Sequence, residues 1–222
     1  IIIHEQTQHA GLANKFAAKF ATRICISWAD SQKFFPVEKT VLTGNPLRQE
    51  FLAAQTKKPQ LTARSVLKKV LQYLPKGGLI SASKKYPTIY ITGGSAGAHG
   101  INVLIEGCLK RLLQHYNIVH QTGDAQEFHD YDRLNQLRET LPEHLQKRYE
   151  LYKFIEPEKV GTFLNEADLV ISRSGINTVT EILYLGKPAL FIPLPYGQYN
   201  EQQTNAAFVR KLGLAEVADQ NA

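Results

Sequence analysis

The chain has 222 residues, enough for one large α/β domain or for one whole domain with part of another. Hydrophobic residues make up 43% and charged residues 21%, which excludes a disordered or fibrous chain, and no apolar run approaches the ~18–20 residues that span a bilayer. The net charge of +6, from 26 Lys+Arg against 20 Asp+Glu, favours anionic partners such as phosphates, nucleotides or acidic lipid headgroups; no Lys/Arg block or zinc-finger spacing supports nucleic acid specifically.

Residues 1–48 read strand, helix, strand, loop, strand. The opening Ile1-Ile2-Ile3-His4 has no charged n-region or cleavage site, so no signal peptide is expected there. The absence of methionine and a start inside a core-like strand lead to the expectation of a fragment whose upstream part is missing. A helix is predicted over Gly11–Ala21, with Leu12, Phe16 and Phe20 as one apolar stripe packed into a core. Strands are predicted over Arg23–Trp28 and Thr40–Thr43, and Gly44-Asn45-Pro46 ends the pattern because Pro46 pushes Asn45 out of helical geometry. Residues 49–87 read as a connector with one helix, Leu61–Leu74.

Residues 88–222 alternate strand and helix. Strands are predicted over Thr88–Thr92, Asn117–His120, Leu151–Phe154, Leu169–Ser172, Ala189–Ile192 and Ala215–Val217. The clearest helix, Ile101–Leu113, carries Ile101, Leu104, Ile105, Cys108, Leu109 and Leu112 on one face. Apolar strands between amphipathic helices predict an α/β fold with a parallel sheet covered on both sides, whose ligands sit beyond the carboxyl ends of the strands. Cys25 and Cys108 both lie in apolar stretches, which predicts buried thiols in a reducing cytosol rather than a disulfide scaffold.

Three of the loops beyond those strand ends carry chemistry. Gly93-Gly94-Ser95-Ala96-Gly97-Ala98 precedes a helix; its glycines let backbone approach a ligand, and the helix start binds an anion. It has neither a Lys-Ser/Thr ending nor GxGxxG spacing, and a plain tight turn accounts for it equally well. Arg173-Ser174-Gly175 opens a second helix in which Glu181 offers a carboxylate to a ribose diol, or else stabilises the helix start. Pro193-Leu194-Pro195 leads to Glu201-Gln202-Gln203-Thr204-Asn205, whose amides and acid suit sugar hydroxyls. The coincidence of the three describes a nucleotide-sugar pocket. Asp130-Tyr131-Asp132 has the form of a metal-chelating DxD, but its polar surroundings predict a solvated loop, and the seven histidines show no metal spacing.

These residues, in this order, resemble the MurG family, the peptidoglycan GlcNAc-transferases of the two-domain GT-B class in glycosyltransferase family 28. His4-Glu5-Gln6, Gly44-Asn45-Pro46-Leu47-Arg48, Gly93–Ala98 with Asn102, His120-Gln121-Thr122-Gly123, Phe154-Ile155, Arg173 through Glu181, Pro193-Leu194-Pro195 and Gln202 through Ala206 all match its segments. The resemblance implies a Rossmann-like parallel sheet with helices on both faces. It implies a truncated acceptor-side domain over 1–48, a connector over 49–87 and a UDP-GlcNAc-binding domain over 88–222, lacking its last helices. It further implies inverting, metal-independent transfer of GlcNAc from UDP-GlcNAc to the MurNAc 4-hydroxyl of undecaprenyl-linked lipid I, giving lipid II.

By the same resemblance, Ser95 with Gly94, Ala96 and Gly97, joined by Arg48, would hold the diphosphate of the donor, and Asn102 of the same loop motif would be a substrate-binding residue. Phe154 and the backbone of Ile155 would meet uracil. Ile176, Asn177, Thr178, Val179, Thr180 and Glu181 would line the donor, with Glu181 on the ribose. Glu201, Gln202 and Asn205 would read the sugar, and Thr7 with His4, Glu5 and Gln6 would border the cleft. Thr7 stands where the family has Asn, and Glu201 where it often has His. The family's catalytic His belongs to a segment upstream of Ile1, so no general base is assigned and the fragment alone is expected to be inactive. No cofactor or metal is expected; the implied partners are UDP-GlcNAc, lipid I and the anionic cytoplasmic face of the bacterial membrane, with the protein peripheral. Lys15, Lys19 and Arg23 beside the apolar stripe read either as a membrane-facing edge or, preferred, as the solvated face of a core-packed helix. The alternatives are another UDP-sugar glycolipid transferase of this fold, or a UDP-sugar-binding subunit of a split glycosyltransferase.

Overall fold

The computed structural model of the chain describes residues 1–49, 51, 86–197 and 200–220. The predicted helix over 61–74 lies outside the described residues.

A first sheet holds β1 (Ile2–Glu5), β2 (Arg23–Ile26) and β3 (Thr40–Leu42), all parallel in the order β1-β2-β3. Its core is small: Ile24 and Ile26 pack with Ala10, Ala18, Ala21 and Phe35. Here the structure departs from the sequence expectation. The helix α1 spans only Leu12–Ala17, and Leu12, Phe16 and Phe20 are 67%, 65% and 63% exposed. Small alanines face the sheet instead. Regular spacing places three apolar side chains on one side of a helix, but it does not say that this side faces the core. Lys19 and Arg23 also fall outside α1, Arg23 opening β2, so the three basic residues do not form one helical edge.

The second sheet has six strands in the order β6-β5-β4-β7-β8-β9, again all parallel. These are β4 (Thr88–Thr92), β5 (Asn117–Gln121), β6 (Tyr149–Tyr152), β7 (Leu169–Ser172), β8 (Ala189–Phe191) and β9 (Ala215–Val217). Between them run α2 (His99–Leu113), α3 (Asp130–Glu139), α4 (Glu143–Gln146), α5 (Pro157–Glu166), α6 (Ile176–Leu185) and α7 (Glu201–Lys211). Strand β6 begins two residues before the predicted one, because Tyr149 pairs with Ile118 and is itself core, leaving Phe154 beyond the strand end.

Alternation along the strands builds two apolar layers. Ile89, Ile91, Ile118, Leu169, Ile171 and Leu190 face α2, α3 and α4 on one side. Tyr90, Val119, Val170, Ala189 and Phe191 face α5, α6 and α7 on the other. The predicted face of α2 is buried as drawn, apart from the half-buried Leu104. Cys108 is buried as expected, whereas Cys25 is only half-buried.

Phe51 is fully buried in the second layer, among residues of the six-stranded sheet. Phe51→Ala is expected to cost about 3–5 kcal/mol of stability, read as a lowered urea midpoint, because it empties a closed apolar site. An unchanged midpoint would show that this anchor contributes nothing to the fold.

Candidate donor-binding cleft

From β4 the chain winds outward to β6, returns to β7 beside β4, and winds the other way to β9. The winding direction therefore reverses between β4 and β7, and in open parallel sheets a ligand crevice lies outside the carboxyl ends at that reversal. Neighbouring strands lie roughly 4.8 Å apart. The turns after β4, β7 and β8 are therefore side by side at one edge of the sheet.

After β4, Gly94, Ser95 and Ala96 are exposed. The turn is pinned by hydrogen bonds from Gly94 N to Thr92 Oγ1 (3.0 Å), from Gly97 N to Gly94 O (3.1 Å) and from Gln121 Nε2 to Gly94 O (3.0 Å). Helix α2 then starts with no side chain capping its N-terminus, and α6 starts after Gly175 in the same way. Two helix starts without a side-chain cap are features that attract an anion.

The β4 turn meets the turn after β5 backbone to backbone. Gly97 has φ +82, and a Cβ there would lie 2.2 Å from Thr122 O; a Cβ on Gly123 would lie 2.2 Å from Gly97 Cα. Both positions therefore require glycine. Asn102, expected at the ligand, is instead 1% exposed. Its Nδ2 donates to Thr122 O (3.0 Å) and Asp130 Oδ2 (2.7 Å), and its Oδ1 faces His120 Nε2 (3.1 Å). It braces the turns from inside and does not face the cleft.

On α6, Asn177 is exposed and Thr178 and Thr180 are half-buried, while Ile176 and Val179 point into the protein. The expectation that the whole run lines a donor is corrected for the Val179 side chain, which is 0% exposed in the second apolar layer. Glu181 is also buried, and Arg48 reaches it with Nε and Nη2 on Oε1 at 2.9 and 2.6 Å. The guanidinium lies over the Phe51 ring, 4.9 Å from its centroid. Asn45 Nδ2 adds bonds to Asn177 Oδ1 and Thr180 Oγ1, both 3.2 Å. Arg48, expected at the diphosphate, thus stands on the carboxylate expected at the ribose.

The start of α7 is tied to the β7 and β8 turns. Ser174 Oγ donates to Gln202 O (2.7 Å), Asn205 Nδ2 donates to Ser174 O (3.1 Å), and Leu194 N donates to Gln202 Oε1 (2.9 Å). Asn205 Oδ1 is buried with no hydrogen-bond partner among the described residues. Asn205 is among the residues lining a cleft of about 190 Å³ between the two sheets, with Glu201 and Thr204 on one wall and Glu5, Thr7 and Asn14 on the other. Thr7, Glu201 and Asn205 are therefore brought together. A buried acceptor left unpaired in a residue of the cleft wall calls for a partner that the described residues do not supply.

Glu5 does not act there as a free base. Burial raises its pKa, but Asn14 Nδ2, the backbone amides of Thr7 and Gly11 and the Thr7 hydroxyl outweigh burial and hold the carboxyl below its ordinary value. His4 Nε2 lies 3.1 Å from Gly44 O and 3.2 Å from Ser27 Oγ, and Gln6 O accepts from Trp28 Nε1 (2.9 Å). Beyond β6, Phe154 is 52% exposed, while the Ile155 side chain is buried and leaves its backbone as the contact it can offer.

Asp130 and Asp132 do not share a site. Asp130 starts α3 rather than a solvated loop and is 5% exposed, with His99, Asn102 and Arg133 on its carboxylate; Asp132 stands outside beside His129. Arg173, which the sequence marked only as part of the β7 turn motif with no role of its own, is half-buried with its pKa lowered by burial. Its Nη1 braces the β8 turn through Ile192 O (2.8 Å) and Pro193 O (3.1 Å). A cation directly after an apolar strand was the available signal.

Gly97→Ala is expected to strain both turns by roughly 1–3 kcal/mol from the left-handed backbone alone, lowering the melting temperature. Glu5→Gln is expected to cost roughly 1–3 kcal/mol at neutral pH. The wild-type advantage is present above the ordinary carboxyl value near 4.5 and is lost as pH falls through the lowered native one. Urea titrations of both proteins across that range check the sign, and parallel curves at every pH would refute it.

Residues 88–222 match the family model described as "Glycosyltransferase family 28 C-terminal domain". Curated relatives include proteins of Trichlorobacter lovleyi (33% identical over 219 residues, 97% of this chain) and Treponema denticola (32% over 225 residues, 98% of this chain). Both carry the name UDP-N-acetylglucosamine--N-acetylmuramyl-(pentapeptide) pyrophosphoryl-undecaprenol N-acetylglucosamine transferase. The chain spans about half their length, 54% and 52%. Among solved structures, MurG of Acinetobacter baumannii superposes over 100% of this chain and 54% of its own, with a TM-score of 0.66 at 27% identity. With its parallel sheets, its crevice at the winding reversal and a family match over the whole six-stranded part, the chain belongs to glycosyltransferase family 28 and has the GT-B fold.

Proposed function

We propose that this chain binds UDP-GlcNAc and serves inverting transfer of GlcNAc to the MurNAc 4-hydroxyl of undecaprenyl-pyrophosphoryl-MurNAc-pentapeptide, the step from lipid I to lipid II in peptidoglycan synthesis. The observation that carries the reading is the set of turns at the β4–β7 reversal: an exposed Gly94–Ala96 turn, two uncapped helix starts and the Glu181 carboxylate. The names of the curated relatives supply the substrates.

The chemistry follows from charge. When the glycosidic bond breaks, negative charge develops on the leaving UDP. In this reading the α2 and α6 dipoles stabilise it without a metal, and the Arg48 guanidinium, which stands on Glu181, would have to turn from that carboxylate to join them. Arg48 neutralises Glu181 before the donor arrives, and it shares or leaves that carboxylate when the hydroxyls of a ribose diol donate hydrogen bonds to it. In this reading Asn205 and Glu201 meet the hexose at the cleft between the sheets, opposite Thr7; Gln202, whose Oε1 accepts from Leu194 N, stands beside them at the start of α7. No residue among those described is assigned as the base.

A peripheral position on an anionic membrane suits the net charge of +6. No helix among the described residues is long and apolar enough to cross a membrane.

Calorimetry tests the donor half of this reading. UDP is expected to bind the wild-type chain, Glu181→Ala to weaken binding by about 1.5–3 kcal/mol, and EDTA to leave it unchanged. Equal UDP affinity in wild type and mutant would remove Glu181 from the site, and loss with EDTA would install a metal. For the acceptor half, the full-length protein is assayed with UDP-GlcNAc and lipid I. Turnover with a diacylglycerol acceptor alone would overturn the peptidoglycan assignment.

A further inference from the structure

The geometry points to Asn102 and Asp130 as positioning residues for the diphosphate: together they lock the turn after β5 against the glycine turn after β4, so that the amides meeting the phosphates are preset. The inference rests on the donor reading above. It concerns residues that touch no ligand.

The problem these residues solve is mechanical. Two glycine turns pack backbone on backbone, with no side chain of their own between them. Such a contact supplies little attraction to set its register. Asn102, in the first turn of α2, spans it: one amide hydrogen holds Thr122 O at 3.0 Å, and the other holds Asp130 Oδ2 at 2.7 Å. Because both amide hydrogens are committed, Oδ1 accepts, and His120 must donate from Nε2 (3.1 Å). His120 Nδ1 is then the acceptor for the Tyr149 hydroxyl (2.9 Å). Each member fixes the orientation of the next, so the Asn102 amide cannot flip without breaking the chain.

Burial keeps the imidazole neutral, its pKa pushed down to about 3 despite the nearby Asp130 charge. The other end is electrostatic. Asp130 takes His99 Nδ1 at 2.8 Å and Arg133 at 3.0 Å, and Arg133 is held in turn by Glu106 at 2.8 Å. His99 itself stacks on Phe128, with ring centroids 3.9 Å apart. A carboxylate 5% exposed is costly unless it is paired this fully. Its pairing fixes the start of α2 (His99, Asn102) and the start of α3 in one piece behind the anion cradle.

A purely structural network would affect all ligands alike, so the test compares UDP with uridine, which shares the base and ribose but lacks the phosphates. Asn102→Ala and Asp130→Asn are titrated with both by calorimetry, with circular dichroism to establish folding. The expected result is a UDP affinity reduced at least tenfold in Asn102→Ala and at least threefold in Asp130→Asn, with uridine affinity within twofold of wild type. Unchanged UDP affinity, or a parallel fall for UDP and uridine, overturns the inference. If the variants do not fold, amide hydrogen exchange on the wild-type chain decides. UDP but not uridine should protect Gly97 and Gly123, and equal or absent protection overturns the inference. Failure of the wild-type chain to bind UDP at all overturns the donor reading itself, a separate result.

Discussion

Much of this molecule follows from the parallel pairing of β4 with β7. Parallel strands must be joined by crossovers, and a chain that winds outward one way and then the other leaves one pair of central neighbours whose following turns diverge. Everything chemical in the second sheet is arranged around that gap. The helices α2 and α6 begin at it, the glycine turn and the Arg173–Gly175 turn border it, and the two apolar layers that hold the strands set its width. The alternating Ile, Val and Leu side chains of the sheet therefore decide where two helix dipoles point.

The first sheet meets the second through few but directional contacts. Asn45 and Arg48 lie on the first turns of α6, and Trp28 sets its ring edge-on to Phe208 of α7 at 4.8 Å. Between these contacts lies the cleft lined by Glu5, Thr7, Glu201 and Asn205. Among the described residues the seam includes an ion pair, amide bonds and an aromatic contact, with Phe51 buried beside it in the second apolar layer.

The strands were legible because they are short, apolar and bounded by turn residues. Three of them, Thr88–Thr92, Leu169–Ser172 and Ala215–Val217, have the predicted bounds. The glycine turn was legible because its φ requirements admit few other residues. Direction was not legible. The Leu12, Phe16 and Phe20 spacing named a stripe but not the side it faces, and the helix is shorter than its apolar period suggested. Long-range polar partnerships were hidden too. Nothing local to Asp130 says that His99 and Asn102, about thirty residues earlier, will take its carboxylate, so a buried acid read as solvated. Asn102 read as a ligand residue for the complementary reason: motif membership marks a residue as needed, without saying whether it serves the ligand or the turn that holds it.

Trp28 is the single tryptophan of the chain, and it lies on the seam between the two sheets. Its indole N–H is tied to Gln6 O on the first sheet's side while its ring rests on Phe208 of the second. Emission excited at the red edge of the protein's absorption therefore comes from one place. It carries no background from elsewhere, and its wavelength and quenching register how closely the halves approach, so the chain comes with its own optical gauge of closure.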